Sequence, residues 1–171
     1  MSKARERYSQ LMTNRTQFLD TAVECSELTL PYLVTQDDNY KGKRTLIQPY
    51  QSVGAKAVVT LAAKLMLAIL PPQSAFFKLQ VRDDKLGEQL DQTMRSELDL
   101  SFSKVERLIM DYIAASSDRV VVHQALKHLI VSGNALIFMS KDGLKHYPLQ
   151  RYVVNRDGNG NVVEIVTKEL I

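Results

Sequence analysis

The stretch that most limits how this chain can fold is "QPYQSVGAKAVVTLAAKLMLAILPP", Gln48 to Pro72, the most apolar run in the sequence. Proline breaks a helix interior. Pro49 near the start and Pro71-Pro72 at the end therefore bound one helix of roughly twenty residues. Such a run has three possible uses: a membrane span, a phosphate-binding turn around Val53-Gly54-Ala55-Lys56, or a packed helix. A span needs about 20 apolar residues, and the uncharged run on either side of Lys64 is too short. A phosphate loop needs Gly five residues before its second Gly and Lys directly after it, but Pro49 and Ala55 hold those positions. Ser52, Lys56, Thr60 and Lys64 recur every four residues and form one polar stripe. Ala55, Val58, Val59, Ala62, Met66 and Ile69 cover the rest. The expectation is a mostly buried helix whose small residues, Gly54, Ala57 and Ala63 among them, allow close helix approach.

Helical periodicity also governs the flanks. Tyr8, Leu11, Phe18, Ala22 and Cys25 fall close to one face of a helix expected from about Ala4 to Leu28 and stopped by Pro31. Cys25, falling on that face, reads as a small core residue. "TQDDNYKGKRTLIQP" is a polar loop. Its Lys41, Lys43 and Arg44 are either a solvated cluster or a contact to an acidic partner or to DNA phosphates. "SAFFKLQV", Ser74 to Val81, alternates in part and suits a strand. Asp83-Asp84 suit a helix N-terminus, where negative charge is favoured. A helix from there to about Ala115 would be a rod of roughly 45 Å. Leu98, Phe102, Val105, Ile109 and Tyr112 step along it by fours and threes, and Leu90 and Met94 extend the stripe. That spacing keeps one seam facing a partner, either in its own domain or in a second subunit.

Ser116-Ser117-Asp118 breaks the rod and can cap the next helix. Val121, Val122, Ala125, Leu129 and Ile130 form that helix's apolar side, and Gly133 fits the position just past its end. "ALIFMS" is a continuous apolar run, expected to be covered on both faces. Asp142-Gly143 makes a turn. "RYVVNRDGNGNVVEIVTKEL" reads as a hairpin around Asp157 to Asn161. The predicted fold is α+β and mainly α-helical, with long helices packed against a small, mostly antiparallel sheet. It divides into an N-terminal helix (1–34), a helical region with one short strand and a long helix (35–115), and a helix with a β-hairpin (116–171). The last hairpin lacks a covering element, so the chain reads as a fragment of something longer.

Searches for chemistry return little. The net charge is +3, from 22 basic and 19 acidic residues, which is weak for a dedicated nucleic-acid binder. The lone cysteine excludes an intrachain disulfide and a four-cysteine zinc site. No apolar h-region follows the basic N-terminus, so no secretory signal is expected. His123 and His128 lack the i, i+4 spacing that puts two ligands on one metal, and His146 adds no ligand set. "NRDGNGN" fails as a calcium loop, because Val166 or Lys168 falls where a bidentate Glu is needed. No nucleophile elbow or dinucleotide-binding glycine loop occurs. The expectation is a non-enzyme with no catalytic residue, cofactor or metal site. Candidate contacts to DNA or a partner are Lys41, Lys43, Arg44, Lys56 and Lys64. The candidate subunit seam is Leu98, Phe102, Val105, Ile109 and Tyr112.

Three blocks carry a resemblance in consistent order: "YQSVGAKAVVTLAAKLMLAILPPQSAFFKL", "VERLIMDYIAASSDRVVVHQALKHLIVSGNALIFM" and "YPLQRYVVNRDGNGNVVEIVTKELI". Together with the first helix ending in "LTLPYL", they resemble the N-terminal part of the head-to-tail connector, or portal, family of short-tailed bacteriophages. The resemblance covers nearly all of the chain. It implies a wing-type region of a longer subunit, whose stem, clip and crown would lie beyond Ile171. It also implies a homo-oligomeric ring, typically a dodecamer, at one capsid vertex of the virion, assembled in the host bacterial cytoplasm. Double-stranded DNA would pass through the channel during packaging and ejection. The implied partners are capsid protein, a terminase motor, tail or adaptor proteins and internal core proteins, with no stable membrane insertion. The alternative is a nucleic-acid-binding module using the Lys41, Lys43 and Arg44 loop.

Overall fold

The computed structural model describes residues 3–35, 46–72, 74–80 and 91–169. Its elements are α1 (Lys3–Asn14), α2 (Thr16–Leu28), α3 (Val53–Ile69), α4 (Gln92–Ala115), α5 (Asp118–Ser132), β1 (Leu136–Ser140), β2 (Gly143–Tyr147), a 3-10 turn (Leu149–Arg151), β3 (Tyr152–Arg156) and β4 (Val162–Thr167). β1 pairs with β2, and β3 with β4, as two separate antiparallel hairpins. The fold is mainly helical α+β, as the sequence predicts.

The core joins distant parts of the chain. Val23 of α2, Leu33 and Val34 of the turn after it, Val58 of α3, Val131 of α5 and Tyr152 of β3 form one buried cluster. Ala62 and Met66 of α3 meet Leu126 of α5 in a second. Ser26 makes the turn after α2 possible. Its buried hydroxyl donates to the Leu30 carbonyl at 2.7 Å and accepts from the Val34 amide at 3.0 Å. A buried polar group costs free energy unless it is paired in this way. Gly54 sets how closely α3 approaches α2, since a Cβ there would lie 2.8 Å from the Leu28 carbonyl oxygen.

Several expectations need correction. The first helix is two helices, broken at Arg15, whose φ of −107° and ψ of 10° leave the helical region. The Arg15 guanidinium turns inward, donates to the Leu149 carbonyl at 2.7 Å and lies over the Tyr152 ring. The break shifts the helical phase, so Ala22, Val23 and Ser26 are buried while Cys25 and Phe18 are exposed. Cys25 is therefore not a core residue. Helix α3 is not mostly buried either. Only its narrow stripe of Val58, Ala62 and Met66 is covered, and Val59, Leu61, Leu67 and Ile69 are exposed.

Residues 74–80 form no strand, and Val81 lies outside the described residues. The segment runs beside α4, and the Leu79 amide donates to Glu106 Oε1 at 2.6 Å. On α5, Leu129 is exposed while Leu126 and His128 are buried. Its end matches expectation: Gly133 has φ 70° and its amide bonds the Leu129 carbonyl. Strand β1 is not covered on both faces, since Ile137, Phe138 and Met139 are exposed. The hairpin turns form where expected. Asp157 braces the second one by accepting from the amides of Asn159 and Asn161 at 3.0 and 2.8 Å. Its carboxylate works inside the turn: the Asn161 side-chain amide also donates to it at 3.0 Å, and that bond first, with the backbone ones, holds its pKa below the ordinary value.

Candidate assembly surface

Helix α4 is the longest described element, at 24 residues or about 36 Å. Asp91 begins it, with Oδ1 accepting from the Gln92 amide at 2.8 Å. The part of the predicted rod before residue 91, including Asp83, Asp84 and Leu90, lies outside the described residues. Not one residue of α4 is buried. Of the predicted seam, Leu98, Phe102 and Ile109 are half-buried, whereas Val105 and Tyr112 are exposed, Tyr112 to 65%. Met94, which extends the stripe, is exposed, and Leu100 and Leu108 add exposed apolar surface outside it. Pro72, Ser74 and Ala75 lie along a different side, over Ser103, Glu106, Arg107 and Met110. A helix gains most of its stability from packing an amphipathic face, and α4 packs little of its own against the described residues.

The candidate cations divide. Lys41, Lys43 and Arg44 lie outside the described residues. Lys56 and Lys64 are exposed on α3, away from its buried stripe.

One arrangement was not legible in the sequence. His128 of α5 and His146 of β2 stack with ring centroids 4.4 Å apart and planes tilted by 43°. His128 Nδ1 and His146 Nε2 are buried without a hydrogen-bond partner. Burial, and then the neighbouring His146, push the His128 pKa down to about 4, and burial lowers that of His146 as well. Both rings are thus neutral near pH 7. The spacing of His123 and His128 drew attention to the wrong pair, because His146 reaches α5 only through the fold of the first hairpin. At the other end of α5, Asp118 Oδ1 accepts from the Leu144 amide at 2.9 Å. Among the described residues, no group of three or more His, Cys, Asp or Glu is placed to hold a metal ion. No described helix is long and apolar enough to cross a membrane.

Comparison with known proteins places these surfaces in a lineage. Residues 1–169 match the family described as bacteriophage head to tail connecting protein. The portal protein of Enterobacteria phage T3 is 38% identical over 98% of this chain and 32% of its own length. The portal protein of Escherichia phage T7 is 35% identical, again over 98% of this chain and 32% of the relative. That of Enterobacteria phage SP6 is 34% identical over 96% of this chain and 32% of the relative. The chain thus spans about a third of the length of the curated relatives it matches.

Proposed function

We propose that this chain, which belongs to the bacteriophage head to tail connecting protein family, is part of a portal ring subunit at the capsid vertex. In this reading several copies, typically twelve, close into a ring. The ring's channel admits the genome during packaging and releases it at ejection, and its outer surfaces join head to tail. The resulting particle component is assembled in the host cytoplasm and carried in the virion. Capsid protein, a terminase motor, tail or adaptor proteins and internal core proteins are its partners.

The observation that carries this reading is α4, 24 residues long with an apolar seam and no buried residue. A ring needs a heterologous head-to-tail interface whose rotation closes, and the seam of Leu98, Phe102, Val105, Ile109 and Tyr112 supplies one side of it. Further apolar surface at Ile137, Phe138 and Met139, the last 79% exposed, is of the kind that marks protein contacts. The weak net charge of +3 also suits the role. DNA must slide through a channel, and each phosphate neutralised adds salt-dependent affinity that would resist sliding.

Electron microscopy of the full-length subunit tests the proposal. The expected result is rings with an open centre. A full-length protein that stays strictly monomeric overturns it.

A further inference from the structure

Helices α2 and α3 meet end to end, yet their charges do not meet. Helix α2 carries Asp20, Glu24 and Glu27 and no basic residue, whereas α3 carries Lys56 and Lys64 and no acidic one. Glu24 and Glu27 line a cleft of about 640 Å³ whose other walls are mainly apolar, including Leu28, Ile47, Tyr50 and Val53. Among the described residues no basic one lines it. The lysines of α3 sit elsewhere. At ~1.5 Å per residue, Lys64 lies about 15 Å along the axis from Gly54 at the edge of the cleft. Lys56 is nearer, but at ~100° per residue it stands well over 90° around the helix from Gly54. Among the described residues no ion pair joins Glu24 or Glu27 to Lys56 or Lys64.

We propose that the acidic cleft at the end of α2 receives the lysine-bearing face of α3 from a second copy of the chain. The inference rests on the ring reading above and names a second contact for it, beside the α4 seam. The two patches are different surfaces of one molecule with opposite charge, so their pairing is heterologous, as a closed ring requires. The lysine face suits the cleft in shape and in charge. Around Lys56 and Lys64 it presents Ala57, Thr60 and Leu67, small or apolar side chains that leave room for close approach. Apolar walls around Glu24 and Glu27 exclude water from the pairs and strengthen them relative to open surface. Opposite charges at such a site set register and reject misaligned neighbours, since like charges placed together cost far more than a matched pair gains.

The test is a charge swap in the full-length subunit, with ring formation followed by native mass spectrometry against protein concentration. Wild type reports on the ring reading alone, because a wild type without rings removes that reading whatever the variants do. Given wild-type rings, Glu24→Lys with Glu27→Lys is expected to raise the concentration needed for assembly at least ~tenfold, and Lys56→Glu with Lys64→Glu to do the same. The protein carrying all four changes is expected to recover much of the loss, a rescue that mere misfolding of either pair would not produce. The docking is overturned if either pair leaves assembly unchanged, or if the fourfold variant assembles no better than the pairs. Normal assembly with a lowered melting temperature assigns the carboxylates to contacts inside one chain. Normal assembly of Lys56→Glu with Lys64→Glu, together with weaker retention of duplex DNA at low salt, assigns the lysines to nucleic acid. Both results also overturn it.

Discussion

Helices α4 and α5 follow one another through the Ser116-Ser117 break, and they end in opposite situations. Helix α5 has 15 residues and buries Ala125, Leu126, His128, Val131 and Ser132 against α3, β2 and the turn after α2. Helix α4 has 24 and buries none. In the sequence, α4 has the cleaner stripe. The difference shows that apolar periodicity alone does not say whether a face is covered within this part of the chain. A helix packed by the described residues and one left uncovered by them can carry the same pattern. They separate only when the fold places neighbours against one of them.

The largest effect follows from breaking the covered side. Leu126 is 7% exposed and touches Ala62 and Met66. Leu126→Asp removes those contacts and buries a carboxylate with no basic partner, at a cost of at least about 4 kcal/mol. Against a typical total stability of about 5–15 kcal/mol, hydrogen exchange in the full-length subunit should lose protection throughout α3 and α5. Wild-type protection in this variant would mean that α5 is no more anchored than α4.

The second effect is conditional on pH and again belongs to α5 alone. His128 titrates at about 4 in the folded protein, below its unfolded value of about 6.5. Between those values the unfolded chain binds more protons, so this contribution is complete above pH ~6.5 and is lost as pH falls toward about 4. At about 1.4 kcal/mol per unit, the loss reaches at most about 3 kcal/mol. The two neutral rings would then become charged and repel each other, which loosens the first hairpin from α5. His128→Phe keeps an aromatic ring there but cannot titrate. Exchange of α5 amides should be more acid-sensitive in wild type than in the variant between pH 6.5 and 4, and equal sensitivity would remove the pair as the cause. Amides of α4 should show no such difference.

What was legible in the sequence follows the same line. Local rules were sufficient where a residue acts on its own backbone: Gly133 past the end of α5, the Asp157 turn, and the proline stops around α3. They failed where a distant element decides. Arg15 breaks the first helix because Leu149 and Tyr152 draw its side chain in, and that break turned Cys25 outward. The residues of α3 expected to form a broad buried surface are a single stripe, because among the described residues it is mainly α5 that packs along it. The stacked histidines come from elements that periodicity cannot bring together. Of the candidate surface, the apolar stripe of α4 is legible as a pattern, since a stripe is a property of one helix; its role as a subunit seam is the proposal made above. The proposed complementarity of α2 and α3 is not legible there, because it requires knowing that among the described residues their opposite charges do not pair with each other.

The third effect falls on α4. Asp91 caps it through the Gln92 amide, and removing such a cap costs about 1 kcal/mol. Because α4 has little packing in this chain to compensate, Asp91→Ala should fray the amides after residue 91 while leaving the protection of α5 unchanged. Fraying that spreads into α5 would show the two helices to be one cooperative unit and weaken the contrast between them.

The smallest effect on stability should come from the seam, and that smallness is its diagnostic value. Val105 and Tyr112 are 43% and 65% exposed. Val105→Gln with Tyr112→Gln removes apolar surface that the chain itself barely covers, and Gln forms helix somewhat better than either residue. Exposed substitutions of this kind usually stay within about 0.5 kcal/mol. Melting and exchange of the dissociated subunit should therefore match wild type. Assembly should not match, because a partner packed on the seam would lose two apolar side chains and face two amides it cannot pair, so rings should form only at higher concentration. If stability falls by several kcal/mol, the seam is internal and α4 resembles α5 after all. If neither stability nor assembly changes, the stripe faces solvent and the ring must be held by other surfaces.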